Sequence, residues 1–181
     1  MLKTKNTCLV VIDLQERLVP ALHEKEDLLK RCSAFIKGMK LLEIPVLVTQ
    51  QYTKGLGATV LQISEALGDF QPIEKITFSC MADEAFKTKL SGLGAKNLVV
   101  VGAEAHICVQ QTVLDMLQEK RSVYLAADCV GSRFMTDKQC AIERMKCAGA
   151  TISTLESILF ELLQTAEHPC RKQIQALIMD F

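Results

Sequence analysis

The sequence contains no tryptophan and two tyrosines, and aromatic residues make up only 5% of it. A chain this poor in rings has little on which unpaired bases can stack, which argues against single-stranded nucleic acid as a partner. Charge of one sign is missing too: 21 Lys and Arg stand against 21 Asp and Glu. Phosphate backbones are held by a basic surplus or stripe, so this balance points away from nucleic acid altogether. No apolar run nears the roughly 20 residues that span a bilayer, and no membrane partner is expected. The opening stretch, MLKTKNTCLVVIDL, passes from two lysines directly into a strand-like run with no small-residue cleavage site behind it. That is not an export signal, and a cytoplasmic setting is expected.

Two further absences narrow the chemistry. The histidines are His23, His106 and His168, too scattered for the usual metal-ligand spacings, so no metal is expected. A GxGxxG fingerprint is lacking: Gly102 stands alone and the next glycine is Gly131, which leaves no dinucleotide site and no expected cofactor. Cysteine, by contrast, is plentiful. The eight thiols at 8, 32, 80, 108, 129, 140, 147 and 170 include no CxxC. Several fall on apolar faces, where a free cysteine behaves as a small hydrophobe, and a reducing compartment suits them better than a disulfide framework.

What remains is a patterned globular chain. Its 181 residues are enough to bury about 70% of the unfolded surface as a single domain, residues 1–181. Short β-rich apolar runs at 7–12, 45–50, 97–102, 122–128 and 150–155 suit strands buried on both faces, and QPIEKI at 71–76 is a weaker sixth. Helical periodicity lies between them, at 26–43, 84–93 and 107–119, then around Leu159–Leu163 and in KQIQALIMDF, where Ile174, Leu177, Ile178 and Phe181 share a face. Thr136 followed by Gln139 predicts a capping box opening another helix that Gly149 stops. Strands alternating with helices mean an α/β fold with a mostly parallel sheet, whose ligands sit at the carboxyl ends of the strands. The longest irregular stretch, 52–62, lies at such an end.

Three residues near those ends could carry chemistry. Asp13 follows the first apolar run, where an unpaired buried carboxylate would be costly, although a helix cap or surface aspartate is the commoner reading. Cys108 follows the turn after Gly102 at the start of a helix near Ile107. There the helix dipole would lower its pKa and unpaired backbone N–H groups could receive an oxyanion; a packed thiol is the competing reading. Lys75 interrupts an apolar strand and could stabilise a thiolate, or simply snorkel at a sheet edge.

Taken in order, VVIDLQERLVPAL, QQYTKGLG, EKITFS, VVGAEAHICVQQTVLDML, YLAADCVGSR and GATISTLESILFELL resemble successive blocks of the isochorismatase-like cysteine hydrolase superfamily. The likeness is to the isochorismatase domain-containing and YcaC-like branch, and it runs over roughly residues 7–165. It implies a three-layer, Rossmann-like fold with a six-stranded parallel sheet in the order 3-2-1-4-5-6. It also implies an Asp13-Lys75-Cys108 triad, in which Cys108 attacks a carbonyl to give a thioester. A cis peptide before Glu104 would turn the backbone of Ala103, Glu104 and Cys108 into an oxyanion hole. The pocket residues it implies are Leu14, Gln15, Gln50, Tyr52, Leu56, Phe78 and His106, a neutral set that suits a small uncharged or weakly polar substrate. His106 is expected to orient rather than act as base. Homo-oligomers are expected as well. The alternative is a catalytically silent ligand-binding or interaction protein on the same fold.

Overall fold

The computed structural model describes residues 1–179; Phe181, expected on the last helix's apolar face, lies outside the described residues. Six strands form one all-parallel sheet: β1 (Thr7–Ile12), β2 (Val46–Gln51), β3 (Ile73–Lys75), β4 (Asn97–Ala103), β5 (Ser122–Gly131) and β6 (Thr151–Ser153). Their order is β3-β2-β1-β4-β5-β6. β1 is buried throughout and β4 from Leu98 onward because both faces are covered, which is why TCLVVI and LVVV read as unbroken apolar runs rather than alternating ones.

Among the described residues, eight α-helices cover the sheet: α1 (Lys25–Leu41), α2 (Thr53–Leu56), α3 (Leu61–Leu67), α4 (Glu84–Gly92), α5 (Gln110–Gln118), α6 (Met135–Cys147), α7 (Leu155–Leu163) and α8 (Arg171–Ile178). Alternate residues of β1 enter opposite cores. Leu9 and Val11 pack with α1, α3, α7 and α8 through Phe35, Ile63, Leu159 and Ile174. Cys8, Val10 and Ile12 pack with α4, α5 and α6 through Phe86, Val113 and Met145. Each such large side chain is worth roughly 1.5–3 kcal/mol when fully buried, so the two layers clamp the strands and fix where their ends fall.

Several local expectations change. The capping box at Thr136 does not form: the cap falls two residues earlier, at Phe134, so α6 begins at Met135 with no side-chain hydrogen bond at its cap. Helix starts that do carry side-chain caps are α4, where Asp83 accepts from the Phe86 N–H at 2.9 Å, and α7, where Thr154 accepts from the Ser157 N–H at 3.3 Å. The stretch 52–62 is not wholly irregular, since it holds the single turn of α2 and the start of α3. Strand β5 does not stop at Asp128 but continues to Gly131. The carboxylate of Asp128 accepts from the Leu155 N–H at 2.9 Å, so it serves the first turn of α7 without leaving the sheet.

Candidate functional site

The sheet order reverses between β1 and β4, and the loops leaving these two strands part to make a crevice. Asp13 is the first residue beyond β1. Its backbone takes the left-handed region at φ 51°, a conformation that aspartate tolerates better than most residues. Opposite it, Gly102 pairs with Ile12 at φ 121°, and a β-carbon there would stand 2.1 Å from the Ile12 carbonyl oxygen. Only glycine lets β4 approach β1 this closely before the chain turns. The next peptide, Ala103–Glu104, is cis. A five-residue helical turn, Ala105–Val109, then leads into α5 and carries Cys108.

Asp13 and Lys75 are 0% and 1% exposed, yet both are satisfied. Asp13 Oδ1 accepts from Thr49 Oγ1 at 2.7 Å, and Oδ2 accepts from Lys75 Nζ at 2.7 Å. The ammonium also donates to Gln51 Oε1 at 2.7 Å and to the carbonyls of Phe78 and Thr77 at 3.1 and 3.2 Å. Burial by itself would lower the Lys75 pKa, but the Asp13 charge and hydrogen bond leave it raised. The Cys108 thiol lines the same cavity as Asp13, near enough for the carboxylate's charge to act on it. Aspartate, lysine and cysteine thus meet at one point, brought together by β1, β3 and the turn after β4.

The expected lowering of the Cys108 pKa is not what this environment produces. Burial pushes it up, the negative charge of Asp13 pushes further, and Lys75 offsets only part of this because its charge is already engaged by the carboxylate. That direction favours the protonated thiol at rest. Cys80 lies behind this group rather than in the cavity wall. It is fully buried, its Sγ sits 3.9 Å from Thr49 Oγ1, and burial raises its pKa to about 11.

Cys108 and Asp13 open onto a cavity of about 310 Å³ lined also by Leu18, Gln51, Leu56, Phe78, Glu104, Ile107 and Arg133. Of the seven expected pocket residues, Leu56 and Phe78 line it. Leu14 does not: the left-handed turn at Asp13 sends it into the α1-side core, 1% exposed. Gln15 is a strap, its amide donating to the Gln51 and Gly57 carbonyls at 3.0 and 2.7 Å and accepting from the Gln51 N–H at 2.7 Å. Gln50 is tied to Thr59 Oγ1 at 2.9 Å, and Tyr52 lies over Gly55 with half its surface in solvent. His106 faces α6, with Nδ1 3.0 Å from Ser132 Oγ and Nε2 3.8 Å from Asp137 Oδ2. Within the turn itself, the amides of Ile107 and Val109 are spent on the Glu104 carbonyl at 3.0 and 3.2 Å.

Sequence reasoning missed Leu18, Gln51, Ile107 and Arg133. For Gln51 and Arg133 the signal was strand length: each stands at or just beyond the true end of a strand, β2 or β5, that runs past its first polar residue. Glu104 contributes its side chain as well as its backbone, since Oε1 accepts from Arg133 Nε at 3.0 Å and from the Arg133 N–H at 3.3 Å.

Known proteins share this arrangement of elements. A solved structure from Caenorhabditis elegans, described as MAR1 ribonuclease, superimposes with a TM-score of 0.92 at 35% identity, over 98% of this chain and 92% of that one. Isochorismatase domain-containing protein 2 of Danio rerio is 34% identical over 98% of this chain and 89% of its own length. Isochorismatase domain-containing protein 1 of Salmo salar is 38% identical over 92% of this chain, and the match spans 58% of that protein's length. The Isochorismatase domain profile matches residues 7–157, β1 to the first turn of α7, and the chain belongs to the isochorismatase family.

Proposed function

We propose that the chain is a cysteine hydrolase acting on a small amide-like substrate, with Cys108 as nucleophile and Asp13 as the group that moves its proton. The observation carrying this reading is a thiol and a carboxylate facing one cavity, with the carboxylate bonded from behind to a buried ammonium. A thiol whose pKa is raised supports one order of events. Sγ attacks the carbonyl carbon as its proton passes to Asp13, so thiolate character arises only in the attack. Lys75 then faces a neutral acid and a thiolate becoming a thioether-like sulfur, and its charge stabilises the transfer without giving up a proton. The developing oxyanion is received by backbone N–H groups of the 104–108 turn, which include the Cys108 amide. Asp13 hands its proton to the leaving nitrogen, the C–N bond breaks, and a thioester remains. Water, deprotonated by Asp13, adds to the thioester, the C–S bond breaks, and the proton returns to sulfur. The sum is amide plus water giving acid plus amine.

Intact-mass spectrometry after exposure to pools of amides and esters tests this. A mass addition located on Cys108, absent in Cys108→Ala, supports it. No adduct and no turnover across the panel favours the silent ligand-binding reading instead. A ribonuclease reading has the Caenorhabditis elegans relative behind it. Against it, among the described residues lining the cavity the cation is Arg133, and that is paired with Glu104. Cleavage of RNA that Cys108→Ala abolishes would nonetheless replace the amide reading. Ile76, Phe78 and Phe134 stay 69%, 55% and 64% exposed beyond the ends of β3 and β5, which supports self-association of the chain. Sedimentation as a monomer at micromolar concentration would count against it.

A further inference from the structure

Helices α3 and α8 both pack on α1 but leave a strip of its outer surface open between them. The strip follows one stripe of α1, from Lys30 through Ala34 and Lys37 to Leu41. Ala66 of α3 and Ala176 and Leu177 of α8 form its walls. Two hollows of about 570 and 290 Å³ meet at Lys37, Ala176 and Leu177, so the strip is one continuous trough. At 1.5 Å per residue, the span from Lys30 to Leu41 is about 16 Å, or about three helical turns. Among the described residues that line the trough there is no aspartate or glutamate, although acids and bases balance over the chain as a whole. Its charged residues are Lys30, Lys37 and Lys40. Lys40 also donates to the carbonyls of Ala66 and Leu67, which gives its charge a fixed place at the carboxyl end of α3. The trough shares no residue with the Cys108 cavity.

We propose that this trough binds an acidic amphipathic helix of a partner protein. The partner's apolar stripe lies against Ala66, Ala176 and Leu177, and its carboxylates meet Lys37 and Lys40. The inference is independent of the hydrolase reading. Shape favours a helix over a compact ligand, because a trough three turns long is matched by anchors at i, i+4 and i+7. The alanines at 34, 66 and 176 are what let a helix axis come within the usual 8–10 Å of its neighbours. Charge then selects among helices: a basic one is repelled by the lysines, whereas an acidic one pairs with them across the apolar contact. An interface this short falls below the size of a stable complex, so the association is transient and steered by charge.

The test uses a fluorescein-labelled, alanine-based helix of roughly 15 residues, with leucine at i, i+4 and i+7 and glutamates beside that stripe. A twin peptide carries lysine in place of glutamate. Fluorescence anisotropy is followed as the unaltered protein is added to each. The glutamate peptide is expected to bind roughly tenfold tighter than its twin, and added salt narrows the gap. Lys37→Glu weakens the glutamate peptide by roughly 3–10-fold and tightens the lysine twin. Opposite effects on two peptides cannot come from misfolding of the variant. Ala176→Gln, at an exposed helical position, fills the trough and weakens both peptides. Equal binding of the twins, binding that neither substitution alters, or no binding of either peptide overturns the proposal. So does a dimer of the chain that Ala176→Gln dissociates, since the trough would then belong to a second copy.

Discussion

Two pairs of buried thiols lie on opposite sides of the same sheet and make a natural comparison. Cys32 of α1 and Cys129 of β5 sit at 0% exposure in the α1-side core, where the Cys32 thiol donates to the Cys129 carbonyl at 3.3 Å. Cys108 and Cys80 are 6% and 0% exposed in the opposite core. Burial raises the pKa of Cys129 and of Cys108 alike, and in both it is the largest cause. The second cause differs. For Cys129 it is the neighbouring Cys32 thiol; for Cys108 it is a carboxylate whose charge a lysine shares. A low resting pKa is therefore not what separates the proposed nucleophile from the packed thiol. What separates them is an adjoining base with somewhere to send the proton, and a cavity at which to aim.

The sharpest break of this comparison is in rate. Cys108→Ala is expected to abolish turnover, a loss of three orders of magnitude or more, and Asp13→Asn to approach the same loss. Steady-state assays of Cys129→Ala beside them are expected to show unchanged activity; equal losses in both cores would erase the distinction drawn here. Next in size is stability. Lys75→Met leaves Asp13 buried without its cation and should cost about 3–5 kcal/mol in urea unfolding, with the double variant Asp13→Asn, Lys75→Met costing less than the sum of the two single changes. Additive losses would mean that the pair is not coupled.

Alkaline pH probes both cores together. The folded pKa values of Cys8 and Cys80 stand at about 12 and about 11 against 9.0 for the free thiol, and those of Cys108 and Cys129 are raised as well. A group whose folded pKa is raised contributes stability that is fully present below the unfolded value and is lost as pH climbs through the folded one. Stability should therefore hold up to about pH 9 and then fall by roughly 1.4 kcal/mol per pH unit for each such thiol. Lys75 adds to the decline only above its own free value of 10.5. Cys8→Ala should flatten the slope between pH 9 and 11; an unchanged slope would reject buried thiols as the cause. Smallest is the packing effect of Cys129→Ala itself, about 1 kcal/mol in thermal unfolding, as expected for a small hydrophobe removed from a close-packed site.

The sequence was most informative where side chains answer to the sheet alone. VVI and LVVV could only be strands covered on both sides, and the alternation with helices brought with it the parallel topology. It was least informative where a polar residue stays in the sheet because something distant satisfies it. Asp128 ended a strand on paper but caps α7 in space, and this hid Arg133 from the cavity. The helix α3 escaped notice because its seven residues bury only Ile63, Ala66 and Leu67, too few to establish a period. The candidate triad could be named from resemblance, since Asp13 and Cys108 follow legible strands and Lys75 ends a weaker one. The cavity wall was harder, because direction after a strand end depends on backbone angles. One left-handed residue at 13 was enough to turn Leu14 inward and to make Gln15 a tie between loops.

The ammonium of Lys75 has three hydrogens and four acceptors around it, from Asp13, Gln51, Thr77 and Phe78. It has none to lend. On the proposed reaction path a single mobile hydrogen then travels from sulfur to carboxylate to the departing group, and is replaced from the incoming water. Rates measured in mixtures of light and heavy water would decline along a straight line with deuterium content, whereas a bowed line would signal a second traveller and return Lys75 to the list of acids.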